Sequence, residues 1–287
     1  MSQRYSQEEM RRYWRLHAHQ WADLDRSADP EGLTNVCYNG APLWLNRFAA
    51  RCQRATFLTL LAQMPPLKGL RVLDVGCGTG RWSRLLSEGG ARVVGIDLQP
   101  ETLRDDQVRL PACRFVEMSA DLLGLARGRF DLVTSVTVIQ HMPTEVQSAA
   151  LSEMRRVLVD GGRLLMLEHT QDQGMHVFAH PRQEWVRLAE ATGFRLDHCV
   201  PYDFAPLVHA LRRFAATAPG ASAEGKVPVE RFVARFKSAA GSGGIGRRAY
   251  RGALRLATAA SWPLEPLLEK TAPAAWAHHV GLLFTAV

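Results

Sequence analysis

Three glycines at alternate positions, Gly76, Gly78 and Gly80, follow the run Val72-Leu73-Asp74-Val75 and precede an amphipathic segment that begins at Arg81. Glycines at that spacing let the backbone take positive φ and let a ligand approach main-chain N–H groups. The next hydrophobic run, Arg92-Val93-Val94-Gly95-Ile96, ends in Asp97, twenty-one residues after Gly76. A carboxylate at the tip of a second strand can accept both hydroxyls of a ribose. Turn and acid together point to a nucleoside-bearing ligand.

The spacing also decides between ligands. A dinucleotide site requires G-x-G-x-x-G, and Arg81 stands where the last glycine would be. Asp74, just ahead of the turn, would repel a pyrophosphate but suits a ligand bearing ammonium and sulfonium charge. The run Asp74-x-Gly76-x-Gly78-x-Gly80 with Asp97 resembles the first two motifs of the class I S-adenosylmethionine-dependent methyltransferases of the small-molecule type. That resemblance implies S-adenosyl-L-methionine as cofactor and S-adenosyl-L-homocysteine as product. It implies cofactor contacts along Asp74, Gly76, Cys77, Gly78 and Gly80, and at Asp97 and Leu98. After the third strand, Asp121 matches the family's acid that accepts from the adenine amino group, with Ala120 and Leu122 as apolar neighbours of the ring. Val138 and Gln140, where the fourth strand ends, complete the implied set.

Alternating hydrophobic runs and helical periods supply the frame. Strands are expected from Arg71, at 92–97, 113–118, 130–136, 163–168 and 194–200, and a last one over 278–287. Helices are expected at 8–24, 43–64, 81–88, from Pro100, at 144–159 and at 181–192. This pattern predicts an α/β, doubly wound, seven-stranded, mostly parallel Rossmann-like sheet with an antiparallel last strand. Four regions follow: an N-terminal helical cap over 1–66, a cofactor-binding core over 67–202, a basic helical insertion over 203–276, and the last strand of the core sheet at 277–287. The insertion reads as a lid or a dimerisation element. Asp160-Gly161-Gly162 reads as the stop of a helix, and Trp14 and Trp21 as core packing. In doubly wound sheets ligands bind outside the carboxyl ends of the strands, where Asp74, Gly76, Asp97, Asp121, Gln140, His141, Glu168 and His169 all fall.

Composition narrows the setting. The chain has 287 residues, 47% hydrophobic and 22% charged, with a net charge of +7. The surplus sits in one block, because residues 203–276 hold eleven Lys or Arg against five acids while residues 1–50 are balanced. No apolar stretch reaches the roughly 20 residues of a membrane span, and the polar N-terminus lacks a signal-peptide core. Five scattered cysteines with no C-x-x-C pair argue against a disulfide frame or a metal site and for the cytoplasm. His17 and His19, two apart, cannot share a helix face as metal ligands.

Methyl transfer to a hydroxyl also needs a base. His169 after the fifth strand and His141 after the fourth are the candidates, while His278 and His279 read as decoration of a strand end. Candidate substrate residues are Tyr13 in the first helix, Asn35, Tyr38 and Asn39 in the loop before the second helix, and His176 in the loop over 170–180. The fourth strand exits through Val138-Ile139-Gln140-His141 rather than an Asn-Pro-Pro-Tyr type of motif, and no basic–aromatic repeat is present, which argues against nucleic acid as partner. The expected activity is methyl transfer to an O or N atom of a small, plausibly anionic metabolite in a biosynthetic pathway. Alternatives are a lipid or quinone acceptor at a membrane surface, for which Arg247, Arg248 and Arg251 offer basic contacts, and use of the cofactor for chemistry other than methyl transfer.

Overall fold

The computed structural model describes residues 6–22, 27–33, 37, 41–171, 177–205, 207–209 and 245–287. Among them seven strands form one sheet: β1 (Arg71–Val75), β2 (Arg92–Asp97), β3 (Arg114–Glu117), β4 (Phe130–Val136), β5 (Leu158–His169), β6 (Phe194–Tyr202) and β7 (His279–Ala286). Their order is β3-β2-β1-β4-β5-β7-β6. The strands from β3 to β5 run parallel, and β7 lies antiparallel between β5 and β6. The chain turns one way from β1 to β2 and β3, then the other way to β4. The crevice for a ligand therefore opens between the carboxyl ends of β1 and β4.

The described helices are α1 (Gln7–Ala22), α2 (Leu43–Leu61), α3 (Arg81–Glu88), α4 (Pro100–Arg109), α5 (Thr144–Val157), α6 (Arg182–Glu190), α7 (Ile245–Ser261) and α8 (Glu265–Thr271). Proline sets several starts: Pro42, Pro143 and Pro181 precede α2, α5 and α6, and Pro100 opens α4. Its fixed φ suits a helix entrance, where its missing N–H costs no hydrogen bond.

Because successive strand residues face opposite ways, the sheet feeds two cores. Val72, Leu132, Leu165, Leu167 and Leu283 pack on one face with Leu45, Phe48, Phe57 and Leu60 of α2 and Trp82 and Leu86 of α3. Leu73, Val133, Leu164, Met166, Leu282 and Phe284 pack on the other with Leu151 and Met154 of α5 and Trp185 of α6. The described part of the segment before β7 joins the first core through Leu254 and Ala257 of α7.

Some boundaries differ from the sequence expectation. Strand β5 begins at Leu158, not at Arg163, because Phe130 pairs with Leu158 before the register shifts and Leu132 pairs with Arg163. Asp160-Gly161-Gly162 is thus a bulge within the strand, with Gly161 at φ 74°, rather than a helix stop. Strand β6 continues to Tyr202 because β7 supplies it with partners as far as His279. Within 203–276 the described residues include two helices, α7 and α8.

Candidate functional site

Strand β1 ends against the glycine turn, and Gly76, Gly78 and Gly80 take φ of 65°, 55° and 68°. Side chains other than glycine strain this left-handed conformation. At Gly76 space also forbids one: a Cβ would lie 2.3 Å from Cγ2 and 2.8 Å from Cγ1 of Val138. The turn after β1 and the loop after β4 therefore touch, and together they wall the crevice.

Asp97 locks that turn. Its Oδ2 accepts from Gly78 N at 2.9 Å and its Oδ1 from Leu98 N at 2.7 Å. Burial pushes its carboxyl pKa up, against the backbone N–H groups of Gly78, Leu98 and Gln99, which hold it down. The carboxylate is part-exposed and has lone pairs beyond these two bonds. A ribose diol is the ligand group such an acceptor suits.

Asp74 does not face the crevice. It is 1% exposed, with Oδ2 accepting from Ser83 Oγ at 2.6 Å and Oδ1 from Thr134 Oγ1 at 2.9 Å. Burial raises its pKa to about 6, against the two hydroxyl bonds. The expected contact with a cationic ligand is corrected to a support role: Asp74 ties the start of α3 to β4 beneath the turn. Cys77 likewise points inward. It is buried, its thiol pushed well up in pKa by burial, so only its main chain could meet a ligand.

The N-terminal helix lies over the β3 side. Asp121 accepts from Gln7 Nε2 at 2.6 Å, from Arg11 Nη2 at 3.1 Å and from Ser119 Oγ. Burial opposes ionisation of Asp121, but the Ser119 hydroxyl and the Arg11 guanidinium prevail and hold its pKa below the usual range. The expected adenine acceptor is thus engaged as a latch for α1. Ala120 is buried and Leu122 is 75% exposed. Half-buried Tyr13 meets the Trp14 ring edge-on, with centroids 5.2 Å apart. Trp14 is no core residue, as it lies over His141 with ring centroids 4.8 Å apart at 71°. Trp21 as a side chain, Asn35, Tyr38, Asn39 and His176 lie outside the described residues, as do the side chains of Arg247, Arg248 and Arg251.

The loop after β4 carries strain. Thr137 has φ 56°, uncommon for a β-branched residue and a feature that clusters at ligand sites. The following turn, Ile139–His141, is held by Glu168, whose oxygens accept from Ile139 N and Gln140 N at 3.2 Å each. Glu168 is fully buried, and burial raises its pKa to about 8. Gln140 is buried too, its Oε1 accepting from His169 N at 2.6 Å and its Nε2 lying 3.3 Å from His141 Nε2. It braces the two candidate bases rather than a ligand.

His169 ends β5, with Nε2 3.1 Å from Nε2 of His279 at the start of β7. Behind His279 stands Asp203, its Oδ2 3.1 Å from His279 Nδ1. His279 is therefore a buried partner of a candidate base and not decoration of a strand end. Nothing local in the sequence marks Thr137, Asp203, His209 or His279, since β7 meets β5 across 110 residues. A cleft beside 28–33, a segment whose Glu31 carbonyl accepts from Thr79 Oγ1 of the glycine turn at 2.8 Å, is lined by Arg47, Arg51 and Arg54 of α2. Of these, Arg47 donates to Ala28 O, and Arg51 lies 3.3 Å over the Trp262 ring.

Residues 72–162 match the family model described as a methyltransferase domain. The malonyl-[acyl-carrier protein] O-methyltransferase of Pectobacterium atrosepticum is 37% identical over 117 residues, covering 41% of this chain and 45% of that protein. A ubiquinone biosynthesis O-methyltransferase of Cereibacter sphaeroides is 32% identical over 126 residues, covering 42% and 50%. The chain spans about half the length of the curated relatives it matches. The crystal structure of the [4+2]-cyclase SpnF shares the fold, with a TM-score of 0.59 over 99% of this chain and 98% of that one at 16% identity.

Proposed function

We propose that this chain, a class I S-adenosylmethionine-dependent methyltransferase by its domain at residues 72–162 and by its fold, methylates an oxygen or nitrogen atom of a small metabolite in a biosynthetic pathway. The observation that carries this reading is the left-handed backbone of Gly76, Gly78 and Gly80, bound through Gly78 N to Asp97 at the β1/β4 crevice. When bound, the cofactor supplies a methyl group already activated on a sulfonium. Asp97 would accept the ribose hydroxyls, and the turn, held by Cys77 N on Ile96 O and by Gly78 N on Asp97, would back the rest of the ligand. Val138 and Leu98 give apolar walls, and α1, latched on Asp121, closes the adenine side against water. Positioning of the acceptor in line with the methyl group then supplies most of the rate. His169 takes the proton of an acceptor hydroxyl, with His141 as the other candidate.

Relatives named for malonyl-[acyl-carrier protein] and for ubiquinone biosynthesis support an oxygen acceptor, either free or carried. Methyl-labelled S-adenosylmethionine incubated with the protein and small-molecule fractions tests the reading: label should move to an acceptor. A protein that binds the cofactor yet labels no fraction points instead to chemistry other than transfer. A second reading, a quinone or lipid acceptor at a membrane surface, draws on the ubiquinone-biosynthesis relatives. Among the described residues no helix is long and apolar enough to cross a membrane, so surface contact would be the mode. Liposome co-sedimentation lost on neutralising Arg247, Arg248 and Arg251 would support it.

A further inference from the structure

Arg81 opens α3 directly after the glycine turn and is half-buried. In a dinucleotide site that position needs glycine for close helix–strand packing; here it carries a charge. The guanidinium is held from two sides. Its Cζ lies 4.4 Å over the ring of Trp82, which itself stacks on Phe57 with centroids 4.4 Å apart. Nη2 donates to Gln53 Oε1 of α2 at 2.7 Å, and Nη1 lies 3.9 Å from Cys37 Sγ. Gln53 is 5% exposed, so the carboxamide that aims Arg81 stands in packed surroundings.

Both polar partners are neutral. Burial pushes the Cys37 thiol up in pKa, although the Arg81 guanidinium pulls it down. Asp29 and Glu31 of the covering segment act on that thiol by charge, yet among the described residues neither makes an ion pair with Arg81. The half-buried Arg71, Arg156 and Arg163 each meet a carboxylate instead, on Asp131, Glu153 and Asp197. An arginine in a first turn also works against the helix dipole, and no acid in that turn of α3 offsets it. Taking a charge out of water is costly without a counter-charge. A carboxamide orients the guanidinium while leaving its charge uncompensated, and a carboxylate is the group its fork fits bidentately.

We infer that Arg81, aimed by Gln53, is the counter-charge for the carboxylate at the amino-acid end of S-adenosylmethionine, and thereby a specificity residue for the intact cofactor. The inference rests on the methyltransferase reading above. In that reading Asp97 at the tip of β2 takes the ribose, and the adenine lies toward Asp121 after β3. The strand order β3-β2-β1 then carries the amino-acid end past β2 to β1, and so to the turn that Arg81 closes. The carboxylate is the one anionic group of this cofactor. A guanidinium there recognises what adenosine and its simple thioethers lack. Arg81 touches no reacting atom; it binds and orients, and Gln53 is its positioning residue.

Titration calorimetry on the full chain tests this with two ligands, S-adenosyl-L-homocysteine and the same molecule with its carboxylate converted to a carboxamide. The wild type should prefer the carboxylate by about ten- to hundredfold, the share of a charge-assisted pair. Arg81→Gln should bind the two within about threefold of each other, because it loses affinity for the first. Gln53→Glu keeps the shape of the side chain but sets a carboxylate against Arg81, and it should lose most of the preference as well. A preference that survives in Arg81→Gln overturns the inference, as does a wild type that binds both ligands equally. Should Arg81→Gln fail to fold, Gln53→Glu decides, and an unchanged preference there overturns the inference. A wild type that binds neither ligand, nor S-adenosylmethionine, overturns the methyltransferase reading itself, which the other outcomes leave standing.

Discussion

Gly76→Ala probes the wall between the turn and the loop after β4. Two costs combine there: the left-handed φ of 65° and the approach of a Cβ to 2.3 Å and 2.8 Å from the Val138 methyls. Gly161 separates them, because its φ is 74° but a Cβ there would meet nothing within 4 Å. The left-handed term alone is about 1–2 kcal/mol, so Gly161→Ala should cost about that much. Overpacking against a stiff β-branched neighbour adds about 1–3 kcal/mol, so Gly76→Ala should cost roughly 2–5 kcal/mol. At about 2 °C per kcal/mol for a chain of this size, its Tm falls by roughly 4–10 °C.

The double variant Gly76→Ala/Val138→Ala removes the two methyl contacts, leaving the 3.1 Å approach to the Cβ of residue 138, and keeps the φ strain. It should recover about 1–2 kcal/mol relative to the sum of the single variants, beyond the roughly 0.5 kcal/mol scatter of independent sites. Urea unfolding of the four proteins gives the cycle directly. Equal costs at Gly76 and Gly161, or additivity of the pair, would refute the claim that turn and loop form one wall.

Glu168→Gln should change how stability depends on pH. The folded carboxyl has a pKa of about 8, raised by burial, so it holds a proton that the unfolded chain releases above its ordinary value near 4.5. Wild-type stability should therefore fall as pH rises from about 4.5 to 8, by at most roughly 5 kcal/mol from this group. The variant's Tm-against-pH curve should lack that component, and parallel curves would contradict the assignment. Arg11→Ala removes an ion pair whose arginine side chain is 41% exposed, so global stability should change by less than about 1 kcal/mol. Hydrogen exchange across residues 7–22 should nevertheless quicken, and unchanged protection there would show that α1 is not latched through Asp121.

The elements that position the site were legible because their signals are local. Aliphatic runs closed by Gly76 and Asp97 mark two strand ends, and prolines at 42, 100, 143 and 181 mark helix starts. The last strand could be assigned beside strand six from its apolar run, but its register could not. That register sets His279 against His169, and a slip of one residue would turn the imidazole to the other face. Asp74 was misplaced for a related reason. Its partners, Ser83 and Thr134, are nine and sixty residues away, and only folding shows that they use both its oxygens. Trp14 carries a core-like type and spacing, yet α1 sets it over His141. Asp160-Gly161-Gly162 has the composition of a helix stop, but pairing of Leu158 with Phe130 draws it into a strand bulge.

Titration calorimetry with S-adenosylmethionine, on the wild type and on Asp97→Ala, tests the central claim most directly. Each hydrogen bond from a ribose hydroxyl to the carboxylate is worth about 1.5–3 kcal/mol, so losing both should weaken binding by at least roughly a hundredfold. Asp97→Asn, which keeps the side chain's size and an acceptor for one of Gly78 N and Leu98 N, disturbs the turn less than Asp97→Ala and should still weaken binding by about tenfold or more. The account predicts one cofactor per wild-type chain and this graded loss. No wild-type binding, or affinity indifferent to Asp97, would contradict it.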